Sequence, residues 1–132
     1  MTIVCSLAKS SYSLRENDIV PLTISISNPR GKSIYCLKIQ LIRIVSFNGL
    51  IFENEIFTRM INEIEENIRQ RQINTITLLN LPSNLPPSNL PNPHLHADNI
   101  PSISIKYEFR LLAHIEGLIN PNLHVHVPIG IE

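Results

Sequence analysis

The chain has 132 residues, 43% of them hydrophobic and 5% aromatic, with two cysteines. That length suits a single domain, 1–132, with enough apolar residue to bury a core without disulfide or metal staples. Eleven basic and eleven acidic side chains cancel to zero net charge, which leaves no global field to gather nucleic acid or an anionic membrane surface.

Residues 2–8 read as a first strand, with Ile3, Cys5 and Leu7 on one face. Residues 9–18 are polar around a lone Tyr12, so they form a loop whose one aromatic plugs an edge of the fold. Val20, Leu22, Ile24 and Ile26 then alternate with Pro21, Thr23, Ser25 and Ser27. Period-two alternation sends one row into a core and the other toward water. Asn28-Pro29-Arg30-Gly31-Lys32 breaks this run before a second apolar run, 34–45. The pair reads as an antiparallel hairpin. The second run changes inward parity near Leu41-Ile42, which predicts a bulge there.

Residues 47–72 read two ways. Ile51, Phe52, Ile56 and Phe57 suit a strand, whereas Ile56, Met60, Ile64 and Ile68 recur every four residues among charged neighbours, as in a helix. The β surroundings favour two charged, exposed edge strands, and the choice of strand or helix over 58–71 stays open. Residues 73–81 form another strand. Five prolines within residues 82–93 then exclude sheet, so 82–101 is a Pro-rich surface loop. In 102–116, Ile103, Ile105, Tyr107, Phe109, Leu111, Ala113 and Ile115 face in, and Ser104, Lys106, Glu108, Arg110 and His114 face out. Leu123, Val125, Val127, Ile129 and Ile131 line the inner face of the last strand, with His124 and His126 opposite. The whole is all-β: an Ig-like antiparallel β-sandwich of about seven strands.

Catalytic signatures are missing. There is no Gly-rich phosphate loop, nucleophile elbow or Cys-x-x-Cys, and Glu63-Ile64-Glu65-Glu66 reads as a solvated face. This predicts no enzyme and no cofactor. His94-Leu95-His96 and His124-Val125-His126 are the only metal-like pairs, since His-x-His on a strand aims two imidazoles the same way. Four histidines converge only if the proline loop folds across the last strand, so the leading reading is surface histidine and the alternative a metal-binding β-fold enzyme. Lys38, Arg43, Lys106 and Arg110 share an outward face if their strands lie in one sheet. Lys38, Lys106 and Arg110 are the candidate partner-binding residues, with a solvated sheet face as the plainer reading. Cys5 and Cys36 are read as buried free thiols, because an Ig-type disulfide needs a longer spacing with a Trp between. A purely structural Ig-like module is the remaining alternative. The first eleven residues lack the charge and apolar block of a signal peptide, no run reaches the ~18 apolar residues of a membrane span, and no Asn-x-Ser/Thr site occurs. These features point to a cytoplasmic protein.

The order of these features resembles the C-terminal domain of arrestins and of arrestin-domain-containing (α-arrestin) proteins. Tyr12, the polar loop, the strand 19–26 and Asn28 look like that domain's opening. Leu79-Asn80-Leu81-Pro82 and the following Pro/Ser loop resemble its middle. Ile103-Ser104-Ile105-Lys106-Tyr107-Glu108-Phe109 and Val125-His126-Val127-Pro128-Ile129-Gly130-Ile131 resemble its last strands, with the closing Ile-Gly transposed. The resemblance implies a protein-binding adaptor in endocytosis, protein transport or receptor regulation. Its partners would be cytoplasmic tails of membrane receptors or transporters and the trafficking machinery. It would reach plasma membrane or endosomes only through those partners. It also implies a companion N-terminal arrestin domain, which these residues do not contain, and a PPxY tail, which they lack.

Overall fold

Alternating apolar residues become two stacked sheets in the computed structural model, which describes residues 1–16, 19–64, 69–88, 103–117 and 123–132. The strands are β1 (Thr2–Leu7), β2 (Ser11–Tyr12), β3 (Ile19–Ser27), β4 (Ile34–Phe47), β5 (Leu50–Met60), β6 (Gln72–Asn80), β7 (Ile103–Ile115) and β8 (Leu123–Ile131). One sheet has the order β1-β3-β6 and the other β2-β8-β7-β4-β5. Ladders are antiparallel except the short parallel pair β2/β8. The expected sandwich is present, with eight strands rather than seven because Ser11–Tyr12 forms one of its own.

The inner rows meet as predicted. Val20, Leu22, Ile24 and Ile26 of β3 are fully buried against Ile39, Leu41, Phe109, Leu111 and Ala113 of the larger sheet. Tyr107 and Phe109 are 2% and 0% exposed. Tyr12 plugs the edge, 1% exposed, with Lys9 N–H donating to its hydroxyl oxygen at 3.2 Å. The predicted bulge sits between Leu41 and Ile42, in the ladder with β5.

Four expectations are corrected. First, β3 and β4 are not a hairpin: β3 pairs with β1 and β6, β4 with β5 and β7. Residues 28–32 form an arch that carries the chain from one sheet to the other. Asn28, 1% exposed, holds it. Its Nδ2 donates to Lys32 O (2.8 Å) and Gln70 O (3.2 Å), and its Oδ1 accepts from Lys32 N–H (3.1 Å). Its backbone N–H donates to Arg71 O (2.7 Å), and its carbonyl accepts from Gly31 N–H (3.0 Å). Second, the true hairpin lies in the ambiguous stretch: β4 and β5 are joined by Asn48-Gly49, both at positive φ (48° and 78°), as a type I′ turn requires.

Third, 58–71 is neither a helix nor a second edge strand where it is described. Residues 58–60 end β5, and 61–64 form a turn whose Ile61 and Ile64 cap the core; residues 65–68 lie outside the described set. Fourth, Ile103 is 49% exposed and Ser104 only 5%. Ile103 keeps its inward parity opposite Phe47, but that row runs past the smaller sheet. Leu50 and Phe52 share the uncovered face at 59% and 53% exposure. Of the proline loop, residues 82–88 are described and lie without regular structure; the rest is outside the described set.

Both cysteines are free and half-buried rather than buried, one in each sheet. Burial pushes the Cys5 thiol up to about 11, so it is protonated near neutral pH.

Asn28→Ala leaves two carbonyls and one N–H of a buried arch without partners, and should cost about 2–4 kcal/mol in urea denaturation. Gly130 is the second sensitive point. A Cβ there would sit 2.8 Å from Ser11 Cβ and 3.2 Å from Ser10 O, so Gly130→Ala should destabilise by about 1–3 kcal/mol and expose Tyr12 fluorescence to quencher.

Candidate binding surfaces

The outer face of the larger sheet carries the predicted charges. Antiparallel partners point the same way, so the pairs Lys38↔Leu112, Gln40↔Arg110 and Ile44↔Lys106 place Lys38, Arg110 and Lys106 on one face. Arg43 is not among them. It pairs with Tyr107 on the inner row, because the bulge shifts the ladder with β5 and leaves the ladder with β7 in step. Burial pushes the Tyr107 hydroxyl up, and the neighbouring Arg43 charge partly offsets this. That hydroxyl donates to Pro86 O at 2.5 Å, tying the start of the proline loop to β7.

The three cations do not form one basic patch. Lys38 and Lys106 are separated by six residues of β7 register, roughly 20 Å at strand rise. Arg110 is already engaged. Its two terminal nitrogens grip Glu53 at 2.8 and 3.0 Å, and its Nε donates to Glu108 at 2.7 Å. To reach β5 from β7 the guanidinium crosses β4, over the outer row that contains Ile42. Ile42 is accordingly 5% exposed although it lies outside the core cluster, covered as long cationic side chains cover apolar surface. His126 Nδ1 extends the network at 3.4 Å from Glu108. Sequence reasoning missed Glu53 as the partner.

His124 and His126 are exposed on this face with ring centroids 6.5 Å apart. His94 and His96 lie outside the described residues. Among the described residues no three or more His, Cys, Asp or Glu side chains gather as a metal centre.

A cleft of about 730 Å³ opens at one end of the face. The β7/β8 ladder stops at Tyr107↔Ile129, and Ile131 turns to other partners. Ser88 N–H donates to Ile131 O at 2.8 Å, and Ile131 N–H donates to Ser88 Oγ at 2.8 Å. Lys106, Glu108, Ser11 and Ser88 line the gap with Pro128.

The smaller sheet offers a different surface. Strand β6 is one of its two edges, and on the outer face Ile76 and Leu78 are each 57% exposed, beside Thr23 and Pro21 of β3. On the inner side, Arg59 of β5 donates to Thr77 Oγ1, and Thr77 donates to Glu63 at 2.7 Å. Burial raises the Glu63 carboxyl, but the Thr77 hydroxyl, its own N–H and Arg59 outweigh this and hold it low. The seam between the two sheets is thus latched, while the outer half of β6 stays open.

The hydrogen bond from Arg110, with a smaller opposing effect of burial, holds the Glu53 carboxyl below its ordinary value. A carboxyl that titrates lower in the fold than in the unfolded chain stabilises fully above about pH 4.3 and loses that contribution as pH falls through the folded value. Arg110→Gln should return Glu53 to the ordinary range in a carbon-13 carboxyl titration. The stability gap between the two proteins should close as the solution is acidified below pH ~4.

The crystal structure of Spo0M, the sporulation control protein of Bacillus subtilis, superposes with a TM-score of 0.70 at 14% identity. The match covers 98% of this chain and 48% of that one. The chain therefore spans about half that protein's length, and at such identity the likeness is one of fold. No curated protein matches the sequence. The model of the arrestin (or S-antigen) C-terminal domain matches residues 1–131. With the two-sheet β-sandwich in agreement, the chain belongs to the arrestin C-terminal domain family.

Proposed function

We propose that this domain is a non-catalytic adaptor module that takes up an extended peptide from a protein partner along the open edge of β6. The carrying observation is the alternation of Ile76 and Leu78, exposed on an edge strand whose far side has no strand partner among the described residues. Such an edge supplies main-chain hydrogen bonds for affinity, and alternate side chains supply selectivity. A peptide added there lays every second side chain beside Ile76 and Leu78, so it is apolar at alternate positions. Family membership supports an adaptor role. The proposed partners are cytoplasmic tails of membrane receptors or transporters. The proposed setting is the cytoplasm, with recruitment to plasma membrane or endosomes through the bound tail in endocytosis or protein transport.

The outer face with Lys38, Lys106 and Arg110 is the second surface. It is weaker for a phosphorylated partner because Arg110 is neutralised by two carboxylates.

The test is an array of peptides copied from cytoplasmic tails of membrane proteins, read by fluorescence anisotropy. Ile76→Lys with Leu78→Lys should weaken the captured peptides more than about 10-fold, because lysines on an edge block strand addition. Both positions are exposed, so stability should change by less than about 0.5 kcal/mol each. Equal binding by the double variant, or no peptide bound by the unaltered domain, would remove this reading.

A further inference from the structure

A second cluster on the larger sheet is unrelated to the ion network. Cys36 Sγ lies 3.6 Å from Met60 Sδ. His114 is the direct cross-strand partner of Cys36 on β7. Met60 pairs with Lys38, two residues along β4 from Cys36. All three side chains belong to the outer row, which also carries Lys38 and Arg110. None is deeply shut away: Cys36 and His114 are half-buried and Met60 is 37% exposed. Among the described residues the imidazole of His114 has no hydrogen bond or ion pair, so it is available.

We propose that Cys36, Met60 and His114 form a Cu(I) site. A thiolate and a thioether are soft donors that favour this ion, and an imidazole also suits copper. The flanking strands β5 and β7 lie about 10 Å apart across β4. A methionine and a histidine can therefore close from either side on an ion above Cys36. Two metal–sulfur bonds of about 2.3 Å at a trigonal angle separate the sulfurs by about 4.0 Å. Met60 must withdraw by only about 0.4 Å, within the freedom of its three rotatable bonds. The thiol of Cys36 now donates to Met60. On binding, its S–H bond is replaced by an S–Cu bond, and the proton leaves to solvent. The site does not suit Zn²⁺, which takes four ligands in closed sites and prefers Cys, His and carboxylate over thioether.

Cys5 is a poor competitor. It lies in the other sheet, and burial keeps its thiol protonated. His124 and His126 share the outer face and are the rival ligands that an experiment must separate.

The probe is Cu(I) supplied as its bicinchoninate complex to the untagged chain without oxygen. The chain should withdraw one Cu(I). Cys36→Ser should lower affinity by about 100-fold or more, and Met60→Leu and His114→Gln by about 10-fold each. Cys5→Ser and His124→Gln/His126→Gln should bind as the unaltered chain does. X-ray absorption should report two sulfurs and one nitrogen. Met60→Leu keeps the apolar volume, so its loss of binding with unchanged thermal stability distinguishes ligation from folding. No stoichiometric uptake, undiminished binding by Cys36→Ser, or loss in the His124/His126 variant would overturn the site.

Discussion

The hydrogen bonds of Asn28 decide which sheet each later strand enters. Pro29 biases Asn28 toward extended backbone and removes one donor from the arch. Gly31, at φ 61°, completes a turn that most side chains would strain. Within that arch the Asn28 amide satisfies both ends of a five-residue loop and reaches over to Gln70. It therefore also fixes where the chain returns to start β6. A β3–β4 hairpin would satisfy the same alternation and keep the same inner rows. It would place β4 in the smaller sheet, and β7 would keep only β8 as a neighbour. A buried polar side chain is what separates two topologies that hydrophobic burial alone does not distinguish.

This explains how much of the fold could be read from the sequence. Alternation specifies which side chains are dry, so the rows of β3, β7 and β8 and the buried Tyr12 were readable. It does not specify neighbours, because strands in either sheet satisfy it equally. The Leu41/Ile42 parity change was visible as a bulge. Its consequence for Arg43 was not, since the slip belongs to the β5 ladder alone. Asn48-Gly49 carries the strongest short-range hairpin signal in the chain, and the four-residue recurrence of Ile56, Met60, Ile64 and Ile68 that follows it mimics a helix. In the structure the first three do unrelated jobs. Ile56 is the extra residue of the bulge, Met60 lies on the outer face, and Ile64 caps the core from a turn.

The charged surface was legible by the same measure. Lys38, Lys106 and Arg110 have the parity the sequence assigns. Their electrostatics depend on Glu53, 57 residues from Arg110 in sequence. Without the β4/β5 pairing that brings it across, a compensated face looks like a basic one. The Cys36–Met60 contact depends on the same hairpin. Errors at one turn thus propagate into every property of the outer face.

The two long edges of the sandwich are treated differently by the chain. Strand β5 has the protections expected of an edge that must stay unpaired: a bulge, flanking carboxylates, and Arg59 on its inner row, opposite Ile39. Arg59 reaches the buried Thr77 of β6, so the charge that protects one edge also pins the other. On either side of that latch, Ile76 to Asn80 have no inward charge, bulge or proline, and two exposed aliphatic side chains stand there. An edge left so open in one strand and so guarded in its neighbour fits a surface kept for strand addition rather than an oversight of packing. That asymmetry, more than the area of any patch, is why the binding reading rests on β6.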